Sequence, residues 1–419
     1  SSKLEQICRW LQYPDCSVKM NRLLDDRAQS TGSWFLDCWS FTAFKEGTER
    51  AVLLRGKAGC GKSTVMSYAA RNLRLLGAYP ETESAAITVV HLFDVTDQSH
   101  GRDLRALISS LLCQLALVRE GAQATLYDSF KSHMHGQQQP SQEDLRQLLH
   151  HILSKITGRI FVVVDALDEA DDTHEKLLPF LEEQVSQHPM LSLLVSSRRE
   201  VPFFDRLAKL CPVHTVMHEK RVSGDIDKML GHHFRPGGML AGVTNGEKVQ
   251  ERLRDGADGN FHWAVLQMRR IAKVASLSDT VLERLTGIPS TIGQLYNDCL
   301  EAIEPEDRAK VHHLLVWLVF SGKPLSVPDF TRLLSIVYPD DQPPFASQSN
   351  PGSVYHVLGL VGSTFVTVTA RPGGTDGGVV QLGHASVKDY LIGLRGSAFS
   401  MDWEIAANLF ARTAIACLA

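Results

Sequence analysis

The chain opens with two stretches, LEQICRWL and VKMNRLLDDRA, in which apolar residues return every three to four positions, the spacing of a helix with one buried face. TGSWFLDCWSFTAF follows, rich in aromatics, and residues 1–50 together form an N-terminal helical approach segment. The apolar run AVLLR then stops at GKAGCGKST and gives way to VMSYAARNLRLL, which predicts strand, glycine loop and helix in that order. AAITVVHLF predicts a second strand and DLRALISSLLCQLAL an amphipathic helix. GQQQPSQ predicts a polar surface loop, and Ser141 with Asp144 a capping box for the helix EDLRQLLHHILSKI.

Two further runs, RIFVVVDALDE and LSLLVSSRRE, are apolar without alternation and end in acids and in Ser and Arg. Strands this apolar are buried on both faces, and their alternation with helices predicts a parallel sheet in an α/β domain, placed at 51–215. From VSGDIDKML to LERLTG helical spacing, broken by RPGGMLAGVTNG, predicts a small helical domain at 216–285. In 286–395, helices around Tyr296 and Trp317, a helix in PLSVPDFTRLL, and FVTVT and VVQL flanking ARPGGTDGG predict a winged helix with a β-hairpin wing. Residues 396–419 begin a further helical region.

At 419 residues there is chain for two or three domains of about 150 residues each. Hydrophobic residues at 44% and charged residues at 21% exclude wholesale disorder, collagen and simple coiled coil. Leu314–Phe320 is far shorter than the roughly 20 residues that cross a bilayer, so no membrane span is expected. Lys plus Arg number 43 against 47 Asp plus Glu, a net charge of −4, which makes nucleic acid a poor partner. The eight cysteines carry no CxxC pair and no zinc-type spacing, which suits the cytoplasm. The opening SSKLEQICRW has no signal-peptide layout, and a piece of a longer protein is expected.

The strongest chemical signal is GKAGCGKST, Gly56–Thr64, which satisfies GxxxxGK[ST] between a strand and a helix. Glycines let such a loop turn its N–H groups inward onto phosphate oxygens, reinforced by the helix dipole. Gly56, Ala58, Gly59, Cys60, Gly61, Lys62, Ser63 and Thr64 are therefore the candidate nucleotide-binding set. Lys62 adds a point charge at the β and γ phosphates, and the Ser63 hydroxyl is a candidate ligand for Mg²⁺. About 100 residues downstream, VVVDALDE places Asp165 at the end of a buried strand as the second candidate Mg²⁺ ligand. Asp168 and Glu169 are candidates to orient or deprotonate a water attacking the γ phosphate, and Arg198, in SSRRE, to stabilise its charge. Arg199 reads as structural. The adjacent pairs His150/His151, His232/His233 and His312/His313 diverge on a helix and make no metal site, and neither HExxH nor GxSxG is present.

GKAGCGKST, VVVDALDE and LVSSRR, in this order, resemble the NACHT class of STAND P-loop NTPases, specifically fungal NOD-like receptors of the heterokaryon-incompatibility type. TGSW, DGNFHWA (258–264), IPSTIGQLY (288–296), KPLSVPDF (323–330) and HASVKDYL (384–391) extend the resemblance over nearly the whole chain. It implies a switch in which ADP holds the NTPase, helical and winged-helix domains closed, while ATP with Mg²⁺ opens them for self-association, with slow hydrolysis. In relatives a histidine in an HxSxxE[YF] context touches the β phosphate; His384 occupies the matching place, with Asp389 where many have Glu. Thr31, Gly32 and Trp34 match the segment that lies against the base, and Phe261 falls where relatives often carry proline, which leaves ATP against GTP open. The resemblance also implies a role in non-self recognition or regulated cell death, with effector and sensor domains outside this piece. Two alternatives stand beside it: a winged-helix AAA-like ATPase acting on DNA, for which the wing offers only Arg371 against Asp376, and a nucleotide-bound scaffold without hydrolysis.

Overall fold

A computed structural model describes residues 3–77, 85–96, 101–275, 291–322, 325–338, 344–346, 354–369 and 378–418. The chain divides into two compact units, Ser1–Asp94 with His100–Leu282, and Val95–Ser99 with Glu283–Ala419.

The first unit is built on a five-stranded parallel sheet of order β2-β3-β4-β1-β5, comprising β1 (Ala51–Arg55), β2 (Ile87–Leu92), β3 (Ile160–Asp165), β4 (Leu191–Ser197) and β5 (Val213–Val216). β3 and β4 are buried along their whole length, as their unalternated apolar runs require. Side chains alternate between the two faces of a strand. Leu53, Val89, Val162, Val164, Leu193 and Val195 thus join a core completed by α1 (Lys3–Leu11), α6 (Leu104–Val118), α7 (Glu120–Ser132), α8 (Gln142–Lys155) and α9 (Leu178–Gln187). On the opposite parity, Phe161 meets Phe44 of α4 (Trp39–Glu46), ring centroids 5.4 Å apart, and α5 (Lys62–Leu76) crosses the same face with Val65, Met66, Ala69 and Leu73 buried. Helices therefore cover both faces.

α8 begins at the expected capping box: the Asp144 N–H donates to Ser141 Oγ at 3.1 Å, and the Ser141 N–H to Asp144 Oδ2 at 2.8 Å. α7 and β5 are additions to the sequence reading. VHTV carries two polar residues in four and sits at the sheet edge, so neither burial nor alternation marks it as a strand. The same unit contains α2 (Ser17–Asp25), α3 (Ser33–Leu36), α10 (Phe204–Leu210), α11 (Glu219–Phe234), α12 (Gly246–Ala257) and α13 (Phe261–Ala275).

In the second unit α14 (Ile292–Glu301) and α15 (Pro305–Phe320) precede β6 (Leu325–Ser326), α16 (Val327–Leu334), a two-stranded ladder of β7 (Ile336–Val337) with β8 (Phe345–Ala346), α17 (Val354–Phe365), β9 (Val366–Thr369) and β10 (Val379–Leu382). β6, β10 and β9 form an antiparallel sheet in that order, with Val379 opposite both Thr369 and Ser326. Helices α15, α16 and α17 pack on one another, and this sequence of elements is the winged-helix arrangement. The tip of the wing, 370–377, and the part of IPSTIGQLY at 288–290 lie outside the described residues. α18 (Ala385–Gly393) and α19 (Trp403–Leu418) complete the unit. Among the described residues no helix is long and apolar enough to cross a membrane.

Candidate functional site

β1 ends at Arg55 and α5 begins at Lys62, so the six residues between them must reverse onto a helix N-terminus. Gly59 and Gly61 take φ of 73° and 90°, the left-handed region open to glycine. Space selects glycine as well. A Cβ on Gly59 would stand 2.4 Å from Asn260 Oδ1, and one on Gly56 2.6 Å from Cys60 Sγ. The loop is braced from outside: the Phe261 N–H donates to Gly59 O at 2.8 Å, and the Phe261 ring lies against Gly61. Phe261 thus sits on the phosphate-binding loop, at the start of α13, and Asn260 beside it caps that helix through Oδ1 to the Trp263 N–H at 3.0 Å.

Lys62 Nζ donates to Gly56 O and Lys57 O, both at 2.9 Å, so the ammonium is folded over the loop. Ser63 and Thr64 follow in the first turn of α5, half-buried, as are Ala58, Gly59 and Gly61. The Cys60 side chain is buried against Met217, sulfur to sulfur 3.6 Å, and burial pushes its thiol pKa up despite Lys62 nearby. Cys60 can therefore offer a ligand its backbone N–H and not its sulfur.

Asp165 ends β3 and is fully buried. Its Oδ1 accepts from Ser196 Oγ at 2.5 Å, and the same Oγ accepts from the Ala166 N–H at 2.9 Å, while Ala166 itself is left-handed. Among the described residues, Asp165 Oδ2 has no hydrogen-bond partner. A buried carboxylate oxygen without a donor is costly unless a cation meets it, which is what a Mg²⁺ ligand beside a phosphate loop requires. The donor set of Asp165 and Ser63 is all oxygen and fits Mg²⁺.

The two downstream acids divide. Asp168 Oδ2 pairs with Arg198 Nε at 2.9 Å, and its Oδ1 accepts the Arg198 N–H at 3.0 Å, so the acid is tied to the tip of β4. Glu169 closes a short 3₁₀ turn, Leu167–Glu169, and is half-buried. Arg199 donates through Nη2 to Met217 O at 2.8 Å, a structural bond as expected.

Two groups carried no motif and escaped the sequence reading. Lys19 on α2 pairs with Asp94, Nζ to Oδ2 2.7 Å, just beyond β2, whose last residue, Leu92, is in register with Asp165. Burial opposes the Lys19 charge, but Asp94, with Glu169 and Asp165 beyond it, outweighs burial and raises its pKa above the ordinary lysine value. Asp225 on α11 holds the TGSW segment: Gly32 N–H to Oδ2 is 2.7 Å and Trp34 Nε1–H to Oδ2 is 3.0 Å. Thr31 and Gly32 are buried, and a Cβ on Gly32 would stand 3.1 Å from Val65 Cγ2, so the segment lies along α5 one turn beyond the loop.

In the second unit His384 is the N-cap of α18. Its Nδ1 accepts the Ser386 N–H at 3.1 Å and meets Ser386 Oγ at 2.7 Å, and that hydroxyl reaches Tyr296 OH at 2.9 Å. An acceptor Nδ1 belongs to the tautomer with hydrogen on Nε2.

The family model described as Nephrocystin 3, N-terminal matches residues 30–198, well under half of the chain, from the TGSW segment to the tip of β4. No curated protein matches. Among solved structures, Drosophila ORC bound to DNA is similar at 14% identity over 94% of this chain and 92% of that one, with a TM-score of 0.40. Cdc6p from Pyrobaculum aerophilum is similar at 11% identity, covering 91% and 93%, with a TM-score of 0.39. The Aeropyrum pernix Orc1 protein in complex with DNA is similar at 14% identity, covering 98% and 97%, with a TM-score of 0.33. Sheet order, glycine loop and buried strand-end acid together make the first unit a P-loop NTPase fold.

Proposed function

We propose that this chain is a nucleotide-controlled switch: it binds ADP and ATP with Mg²⁺ at the loop Gly56–Thr64, is held closed by ADP, and self-associates on triphosphate binding. The observation that carries the nucleotide site is a pair of features on one sheet: a phosphate loop whose Lys62 caps its own carbonyls, and a buried Asp165 oxygen without a donor among the described residues. Phosphate oxygens recruit Lys62 from those carbonyls and take the loop N–H groups in exchange for water. Ser63 and Asp165 would hold the metal, which when bound neutralises charge on the phosphates.

Of the paired acids that the family resemblance brings to the attacking water, we assign Glu169 to that role, with Asp168 bracing Arg198. Arg198 remains the assigned charge partner of the γ phosphate, held in place by that same carboxylate. Hydrolysis is slow in this reading, since a switch must outlast its own signal. We assign His384, on the family resemblance, to the closed, ADP-bound state. Flanking effector and sensor domains, and a role in non-self recognition or cell death, extend the same proposal, supported by the family resemblance of the motifs.

Moving such a protein from 1:99 to 99:1 takes about 5.5 kcal/mol of differential binding. The test is molar mass by light scattering in ADP·Mg and in a non-hydrolysable triphosphate with Mg²⁺. The wild type is expected to stay monomeric in the first and associate in the second, and His384→Ala to associate at lower triphosphate. Identical mass in both nucleotides, with binding of both demonstrated, refutes the switch.

A further inference from the structure

Asp225 is a buried carboxylate, 4% exposed, that the phosphate chemistry does not use. Its Oδ2 takes the Gly32 and Trp34 N–H groups together, and its Oδ1 pairs with Lys228 at 3.0 Å. Lys228 Nζ also donates to Ser30 O at 3.3 Å, and the Arg221 guanidinium lies 5.1 Å from the centre of the Trp34 ring. Residues 221, 225 and 228 recur at the spacing of one helix face, so a whole stripe of α11 grips residues 30–34. From the other side α5 supports the same segment through Val65 at Gly32 and through Tyr68, whose ring carries Arg27 at 3.9 Å. The Arg27 Nη1 in turn donates to Thr31 O at 2.5 Å.

The sheet order gives this clasp a direction. Asp165 on β3 and Arg198 at the tip of β4 stand on one flank of β1 and its loop; β5 stands on the other, where its Thr215 meets Ser40 of α4, shortly after the strap, while Glu219 of α11 pairs with Lys57 of the loop at 2.7 Å. A nucleotide whose distal phosphates face the acids therefore directs its nucleoside toward the flank where the strap 30–34 is held.

We propose that Asp225 is a positioning residue for the nucleoside end of the ligand: by clasping the strap Ser30–Trp34 between α5 and α11 it builds the wall against which a purine nucleoside rests, and so sets nucleotide affinity without touching the phosphates. This rests on the nucleotide-binding reading above. A preorganised wall raises affinity by removing the ordering cost at binding.

Calorimetry with two probes separates the ends of the site: ADP·Mg engages both, inorganic tripolyphosphate with Mg²⁺ the loop alone. Asp225→Ala is expected to weaken ADP at least about tenfold and leave tripolyphosphate unchanged. Asp225→Asn keeps an oxygen where Oδ2 accepts both N–H groups and is expected to restore most of the ADP affinity. Trp34→Phe removes one donor and is expected to show an intermediate loss, with the fold checked by circular dichroism. Equal loss of both probes, or a lowered Tm with an unchanged ADP to tripolyphosphate ratio in both Asp225→Ala and Trp34→Phe, overturns the proposal. Failure of the wild type to bind either probe overturns the nucleotide reading itself, which is a different outcome.

Discussion

Arg198 holds Asp168 twice, through its side chain at 2.9 Å and through its own backbone N–H at 3.0 Å, and the carboxylate is left 7% exposed. Two adjacent acids that look equivalent in DALDE are thereby distinguished: Asp168 locks the tips of β3 and β4 together, and Glu169 closes the turn beside it.

Glu169→Gln is accordingly expected to slow single-turnover hydrolysis by about 10²- to 10⁴-fold while nucleotide affinity stays within error. Asp168→Asn is expected to act first on stability, losing about 1–3 kcal/mol from charge-assisted hydrogen bonds and lowering Tm by several degrees. If Asp168→Asn abolishes turnover at unchanged Tm and Glu169→Gln does not, the roles are reversed.

Gly59→Ala combines a left-handed backbone with a Cβ placed 2.4 Å from Asn260 Oδ1. Left-handed geometry alone costs about 1–2 kcal/mol for an alanine. The variant is expected to lose most triphosphate binding by calorimetry. Asn260→Gly in the same chain removes the clash but not the backbone strain, and should restore binding only in part.

Much of this site stands in the sequence because its chemistry is local. A glycine loop, a lysine and a helix start within nine residues, and an apolar strand ending in Asp165, are consequences of short-range geometry, and so is the Ser141 capping box. The wing strands FVTVT and VVQL pair as their alternation predicts. What the sequence conceals are partners that folding brings from afar. Asp225 and Gly32 are 193 positions apart, and Lys19 and Asp94 are 75 apart. Ser196 is one of three serines in β4, and only its bonds to Asp165 and Ala166 distinguish it. No periodicity marks such residues, because each is an ordinary residue type for its own element.

In the second unit, burial first, then His312 and Arg412, push the pKa of His313 down to about 4. An unfolded histidine titrates near 6.5. Between those values the unfolded chain binds the extra proton, so stability rises with pH there and is lost as pH falls from about 6.5 toward 4. The contribution is on the order of 2–3 kcal/mol. Thermal melts from pH 7.5 to 4.5 should show this slope, and His313→Leu should flatten it; an unchanged slope removes His313 as its source.

The central claim is that the loop Gly56–Thr64 grips a nucleotide phosphate tail. Calorimetry of the folded chain with ADP and with ATP, each with Mg²⁺, tests it most directly, beside Lys62→Ala. Saturable uptake of both by the wild type is expected, weakened at least about tenfold by the loss of the charged donor in the variant. Uptake of neither by the wild type, or equal affinity in wild type and Lys62→Ala, contradicts it.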